Sequence, residues 1–240
     1  MYEKRTYRNF VKTDDLVRFE VIVKETDLLI RSEKNLFREA KESVVKYRNQ
    51  LETYIEMNPS FEKSLIPIQE APHVPEIIRE MIRASILAGV GPMAAVAGAM
   101  AEAVSRDLLP LSHEVIVENG GDIYLATGKE RTIGVYAGAS PLSMKIGIVI
   151  ESEKTPLSLC TSSGTVGHSL SFGRADAVSV LSKSGALADA AATAIGNVVR
   201  EEKDIESGLE RAEEIDGVTG VLIIVGEKMG AWGDLRLTKL

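Results

Sequence analysis

The sequence predicts an α+β fold, and three observations carry that prediction. Short hydrophobic runs of strand character fall near both ends of the chain and through its middle. Two long segments carry helical periodicity. The strand-like runs cluster instead of alternating one for one with helices, which disfavours a doubly wound parallel sheet. With 240 residues, 45% of them hydrophobic, the chain can bury a sizeable core, and no repeat, low-complexity tract or linker divides it. Residues 1–240 are therefore expected to form one domain.

The elements follow from the periods. Val17, Phe19, Val21 and Val23 alternate mostly with charged residues, and Leu28–Arg31 begins a second run, which together read as an antiparallel meander. From Leu36 to Met57 the spacing turns helical, with Leu36, Ala40, Val44, Tyr47, Leu51 and Ile55 on one stripe and Asn58-Pro59 as its stop. After a connection punctuated by Pro67 and Pro72, Pro75 opens a helix carrying Ile78, Ile82 and Ile86, which ends near Gly89 and Gly91. Pro92 to Leu109 is an Ala/Gly-rich helix able to approach its neighbours closely. Strands are expected at Glu114–Val117, Ile123–Ala126, Thr132–Tyr136, Lys145–Ile150, Leu157–Cys160 and Ala177–Leu181. A helix from Ser184, its cap, to Arg200 follows, then another from Asp204 to Ile215, a buried strand at Val221–Val225 and a short one near Trp232.

Composition excludes several functions. The 28 Lys+Arg against 35 Asp+Glu give a net charge of −7, whose field repels nucleic acid and anionic membranes. Cys160 is the single cysteine, so neither an internal disulfide nor a multi-cysteine zinc site is available, and a reducing, cytoplasmic location is expected. Cys160 itself reads as a small buried hydrophobe. No apolar run approaches the roughly 20 residues that span a bilayer. His73 and His113 lack metal-ligand spacing with His168 and read as surface residues.

Three stretches carry chemistry. In Asn119-Gly120-Gly121-Asp122 the paired glycines would let a ligand approach the backbone, with Asp122 at a strand mouth, but the same four residues are excellent hairpin-turn chemistry, which the pattern alone favours. In Cys160–Ser169 the hydroxyls of Thr161, Ser162 and Ser163, with Gly164, can donate to a phosphate, and His168 can act as a base; a polar surface loop is the competing reading. In Ser184–Asn197, Asp189 and Thr193 stand four apart on one helix face and suit a hard cation such as Mg2+, or else local hydrogen bonding.

In this order, the three stretches resemble the ApbE-like family, the FAD:protein FMN transferases. The matching residues are Gly120, Gly121 and Asp122, then Thr161, Ser162, Gly164 and His168, then Ala188, Asp189, Ala190, Ala192 and Thr193. The resemblance implies a T-fold-like α+β architecture and a site where the FAD pyrophosphate meets Mg2+, held by Asp189 and Thr193. It implies His168 assisting proton transfer as FMN passes to a threonine of an acceptor protein and AMP leaves. The resemblance covers roughly the second half of the chain, the family's N-terminal region having no match in Lys4–Glu33 and the Leu36–Met57 helix, and two further departures are visible. The family's Gly-x-Ile-Ala-Lys-Gly stretch corresponds best to Ala94–Ala99, which lacks the lysine, and its Asp-Pro-x-Thr-Gly is replaced by Ser171, Phe172, Gly173 and Arg174. Three functions are consistent with these residues: a Mg2+-dependent flavin or nucleotide phosphoryl-transfer enzyme, a non-catalytic flavin or small-ligand binder, and an assembly protein whose Ala/Gly-rich helices pack between copies of a homo-oligomer.

Overall fold

The structure, a computed structural model, describes residues 15–164 and 173–240. Eleven strands and six α-helices are described. They are β1 (Val17–Val23), β2 (Thr26–Ser32), α1 (Phe37–Met57), α2 (Pro59–Lys63), α3 (Glu76–Ala88), α4 (Val96–Leu108), β3 (Val115–Asn119), β4 (Asp122–Ala126), β5 (Arg131–Gly134) and β6 (Ile146–Ile150). There follow β7 (Leu157–Ser162), β8 (Ala177–Ser182), α5 (Gly185–Val198), α6 (Ile205–Glu213), β9 (Val218–Val225), β10 (Lys228–Gly233) and β11 (Arg236–Lys239).

Eight strands form one antiparallel sheet in the order β1-β2-β3-β4-β7-β8-β9-β10, so both ends of the chain enter the same sheet. Strands β11, β6 and β5 form a second, also antiparallel. The chain thus has the α+β fold expected of it.

Alternation along the strands sorts their side chains between two cores. In β9, Val221, Ile223 and Val225 face the helices, while Leu222 and Ile224 face the small sheet. The helix-side core holds Ile78, Met81 and Ile82 of α3 against the inner residues of α1, α4 and α5. The second core packs Ile116, Leu125 and Leu159 of the large sheet on Ile133, Ile148 and Ile150 of the small one. Burial on both faces explains why β9 shows no polar alternation.

The predicted elements differ from the observed ones in a few places. Ile86 lies outside the buried stripe of α3, which uses Ile77, Ile78, Met81 and Ile82, because the helix must also turn Ala84, Ser85 and Ala88 inward. The Pro92–Leu109 helix begins as a 3-10 turn, Pro92–Ala95, before α4. Strand β11 and the short α2 go beyond the sequence reading. Among the described residues no single helix is long and apolar enough to cross a membrane.

Candidate functional site

The site is assembled where α4 and α5 cross over the helix-facing side of β4 and β7. Glycine makes the crossing close: a Cβ on Gly98 would lie 2.1 Å from the Gly185 carbonyl oxygen, and one on Gly185 would lie 2.4 Å from that of Gly98. Each helix lends a carboxylate to the other's N-terminus. Asp189 Oδ2 of α5 accepts from the Ala97 and Gly98 amides of α4 at 3.0 and 2.9 Å. Glu102 Oε2 of α4 accepts from the Gly185 amide of α5 at 2.6 Å, while its other oxygen takes the Arg106 guanidinium. Amides at a helix start have no partner within the helix, so each carboxylate satisfies groups that burial would otherwise leave orphaned.

Asn119-Gly120-Gly121-Asp122 is a two-residue hairpin connection, with Asn119 paired to Asp122 and both glycines at positive φ, 69° and 107°. The turn reading of this stretch is observed, and the turn carries Asp122 to the crossing. The Asp122 carboxylate is buried and its Oδ1 accepts from the Thr161 amide at 3.1 Å. The Asn119 side-chain amide donates to the Ala97 carbonyl at 3.1 Å, tying the turn to the start of α4.

Electrostatics marks the carboxylates out. Burial, and then the negative charge of Asp189, push the Asp122 carboxyl well above the ordinary carboxylate range. Burial pushes Asp189 up to about 7, against the opposing effect of its two amide donors. Among the described residues, no lysine or arginine forms an ion pair with either. Cys160, fully buried beside them, is held as a thiol by burial and by both negative charges, consistent with a packing role.

The hydroxyl loop divides. Thr161 shares a hydrogen bond with Ser179 at 2.9 Å, on the face of β7 away from Cys160. Ser162 lies on the Cys160 face, and its hydroxyl is buried with no hydrogen-bond partner among the described residues. Ser163 is partly exposed, and Gly164 closes on the returning chain through its amide, 2.9 Å from the Ala175 carbonyl. His168 lies outside the described residues.

Helix α5 runs along β7, with Gly185 near Ser158 at one end and Gly196 against Gly173, which borders Gly164, at the other. Eight helical residues rise about 12 Å and four strand residues about 13 Å, so Thr193 falls near the level of Ser162. Asp189 and Thr193 are both partly exposed, on one face of α5. Among the described residues, no three His, Cys, Asp or Glu side chains are grouped to hold a metal by themselves. A cation there would draw on Asp189, Thr193, a backbone carbonyl and oxygens of its ligand, a set that suits a hard ion.

The sequence reading did not find three features: the amides of Ala97 and Gly98, the second cap from Glu102, and the meeting of Asp122 with Asp189. The small residues of Ala94–Ala99 were the available signal for the first. The others join residues far apart in the chain.

The chain has known relatives. A family model described as AbpE bacteria matches residues 8–231. The chain belongs to that family. A UPF0280 protein of Methanocaldococcus jannaschii is 45% identical over 221 residues, covering 90% of each chain. A UPF0280 protein of Methanococcus maripaludis strain C6 is 42% identical over 222 residues, again covering 90% of each. Among solved structures, the flavinyl transferase ApbE of Pseudomonas stutzeri aligns with a TM-score of 0.60 at 15% identity, covering 93% of this chain and 94% of that one. The flavin transferase ApbE of Vibrio cholerae aligns at 0.57 and 14%, covering 90% and 96%. At such identity the likeness establishes the fold, and this branch of the AbpE family is identified as sharing the ApbE architecture.

Proposed function

We propose that this protein is a Mg2+-dependent phosphoryl-transfer enzyme acting on a flavin or nucleotide diphosphate, a divergent relative of the flavin transferases whose fold it shares. The observation that carries the proposal is the carboxylate pair Asp122 and Asp189. Two like charges that meet at the crossing, Asp122 buried and Asp189 partly exposed, without a described cationic side chain beside them are best relieved by a bound cation or a proton. The unpartnered Ser162 hydroxyl on the same side of the sheet supplies a donor or acceptor for a phosphate oxygen.

In this reading Asp189 and Thr193 hold Mg2+, and Ala97 and Gly98 fix Asp189 by both donating to its Oδ2. When bound, the ion offsets the charge that develops on the phosphoryl oxygens. Gly120 and Gly121 shape the mouth: a Cβ on either would meet nothing within 4 Å, so ligand can approach their backbone. Asn119 holds that mouth against α4. Ser162, Ser163, Gly164 and the Thr161 backbone line the phosphate end, and His168 takes the proton of the acceptor hydroxyl as its oxygen bonds to the FMN phosphorus and AMP departs. The partners of this reading are FAD, Mg2+ and an acceptor protein.

The second reading, a non-catalytic flavin or small-ligand binder, is favoured by one observation. Asp189 already serves as the cap of α4, a structural use that needs no metal. Thermal unfolding and AMP release with FAD, FMN, ATP or no ligand, each with Mg2+ and with EDTA, separate the two readings. Mg2+-dependent stabilisation by FAD with AMP appearing supports the enzyme. Stabilisation without AMP supports the binder, and no response to any of these ligands overturns both.

A further inference from the structure

The large sheet ends on one side at β1, and among the described residues no strand pairs with its outer edge. An open row of backbone amides and carbonyls is a template for another strand unless a proline, a lysine, a bulge or a covering segment blunts it. None of the seven residues of β1 is a proline or a lysine, and its pairing with β2 runs without a bulge. Phe19 and Val21 face the helices, while Arg18, Glu20 and Ile22 are exposed on the other face. Strand β10, at the opposite end of the sheet, has two glycines in six residues and a single charge, so it specifies no register of its own.

Strand β1 does specify one. Antiparallel pairing with a second copy, centred on Phe19, sets Val17 against Val21 and Arg18 against Glu20, each twice by symmetry. Centring on Arg18 or on Glu20 would set like charges opposite each other, and a slip of one residue would put the two helix layers on opposite faces. Helix α1 selects the same centre. It runs beside β1 in the same direction, from the Val17–Ser32 pair toward the turn, where Arg48 donates to Thr26 and Lys24 donates to Glu52. Ser43, Lys46 and Tyr47 reach Asp107 of α4, so the stripe of Phe37, Lys41 and Val45 looks away from α4, past the β1 edge. Phe37 and Val45 are exposed there and flank a shallow groove with Arg38, Lys41 and Glu42. Counted back from the Lys24–Glu52 bond, five strand residues to Phe19 and eleven helical residues to Lys41 each rise about 17 Å. A two-fold axis through Phe19 therefore passes at the level of Lys41, midway between Phe37 and Val45, and sets Phe37 of one copy at the level of Val45 of the other.

We propose that the chain forms a two-fold dimer, β1 pairing antiparallel with β1 of a second copy about Phe19 and α1 packing on its counterpart. Each copy offers the same patch, as a closed two-fold contact requires, and the pairing removes an open edge from each sheet. Lys41 lies on the axis, where its aliphatic stem packs and its ammonium reaches water. The inference stands apart from the flavin or nucleotide reading of the crevice.

The test is sedimentation equilibrium of the full chain and of Arg18→Glu and Glu20→Arg, each alone and the two mixed in equal amounts. Both side chains are about half exposed, so each variant should keep the wild-type far-UV spectrum. The wild type should sediment at twice the 26.0 kDa chain mass. Either variant alone sets like charges against each other at two places and should weaken the dimer by about tenfold or more. The mixture recovers both opposite-charge pairs and should regain wild-type affinity as a heterodimer. A wild type that is monomeric at every concentration overturns the proposal, and so does a dimer indifferent to both variants, which would place the interface elsewhere. Weakening by both variants without recovery on mixing would overturn the Phe19-centred pairing.

Discussion

At the residue scale, the pair of carboxylates makes a prediction whose sign is fixed by linkage. Asp122 and Asp189 have folded pKa values above their unfolded ones, so the folded chain keeps protons that the unfolded chain has released. Without metal, their contribution to stability is greatest below the ordinary carboxylate range and is lost as pH rises through about 7, the value for Asp189. The carboxylates held low by hydrogen bonds and ion pairs, such as Asp15 and Glu52, titrate below this window and act in the opposite sense. In EDTA the protein should therefore melt higher at pH 5 than at pH 8, by a few degrees for each ~1 kcal/mol. Asp122→Asn should flatten that slope; a slope that persists unchanged would show that the pair does not set it. Asp189→Ala carries a structural cost as well as any functional one, because it removes a helix cap worth about 1 kcal/mol. Asp189→Asn keeps an acceptor for the two amides and is the cleaner probe of metal binding.

At the scale of elements, the α4–α5 crossing depends on two glycines and two caps. Gly98→Ala and Gly185→Ala each drive a methyl into the opposing backbone, and each should lower stability by about 1–3 kcal/mol or more. Chemical denaturation would measure this, and a neutral effect at both would show that the helices can move apart freely. Glu102→Ala should cost a similar amount, about 1–3 kcal/mol, by orphaning the Gly185 amide, and Glu102→Gln should cost less. Much of this scale was legible in the sequence. The stripe from Leu36 to Leu51, the Ser184 cap and the Asn119–Asp122 turn are local, and period and turn chemistry report local structure directly. The reciprocal caps were not legible, because Asp189 and Gly98 are 91 positions apart and a carboxylate among alanines looks the same whether it serves an amide or a metal. Strand β11 escaped for a related reason. Arg236-Leu237-Thr238-Lys239 has one apolar residue and becomes a strand only by pairing with β6.

At the scale of the whole molecule, topology ties the two ends of the chain together. Strands β1 and β2 reach β9 and β10 only through β3, β4, β7 and β8, so no cut between halves leaves the large sheet intact. The same sheet forms one wall of both cores, and β8 and β9 contribute alternate residues to each. Removing buried volume from the second core should therefore weaken the first. Ile148→Ala, which empties a fully buried position of the small sheet against the large one, should cost about 2–5 kcal/mol. We expect that loss to appear as one cooperative transition, with the near-UV signal of Trp232 on β10 and the far-UV signal of the helices moving together. If Ile148→Ala instead melted the small sheet in a separate, earlier step while the helix signal stayed native, the two cores would be independent units. The crevice between α4, α5 and the large sheet should then still bind its ligand after the small sheet had unfolded.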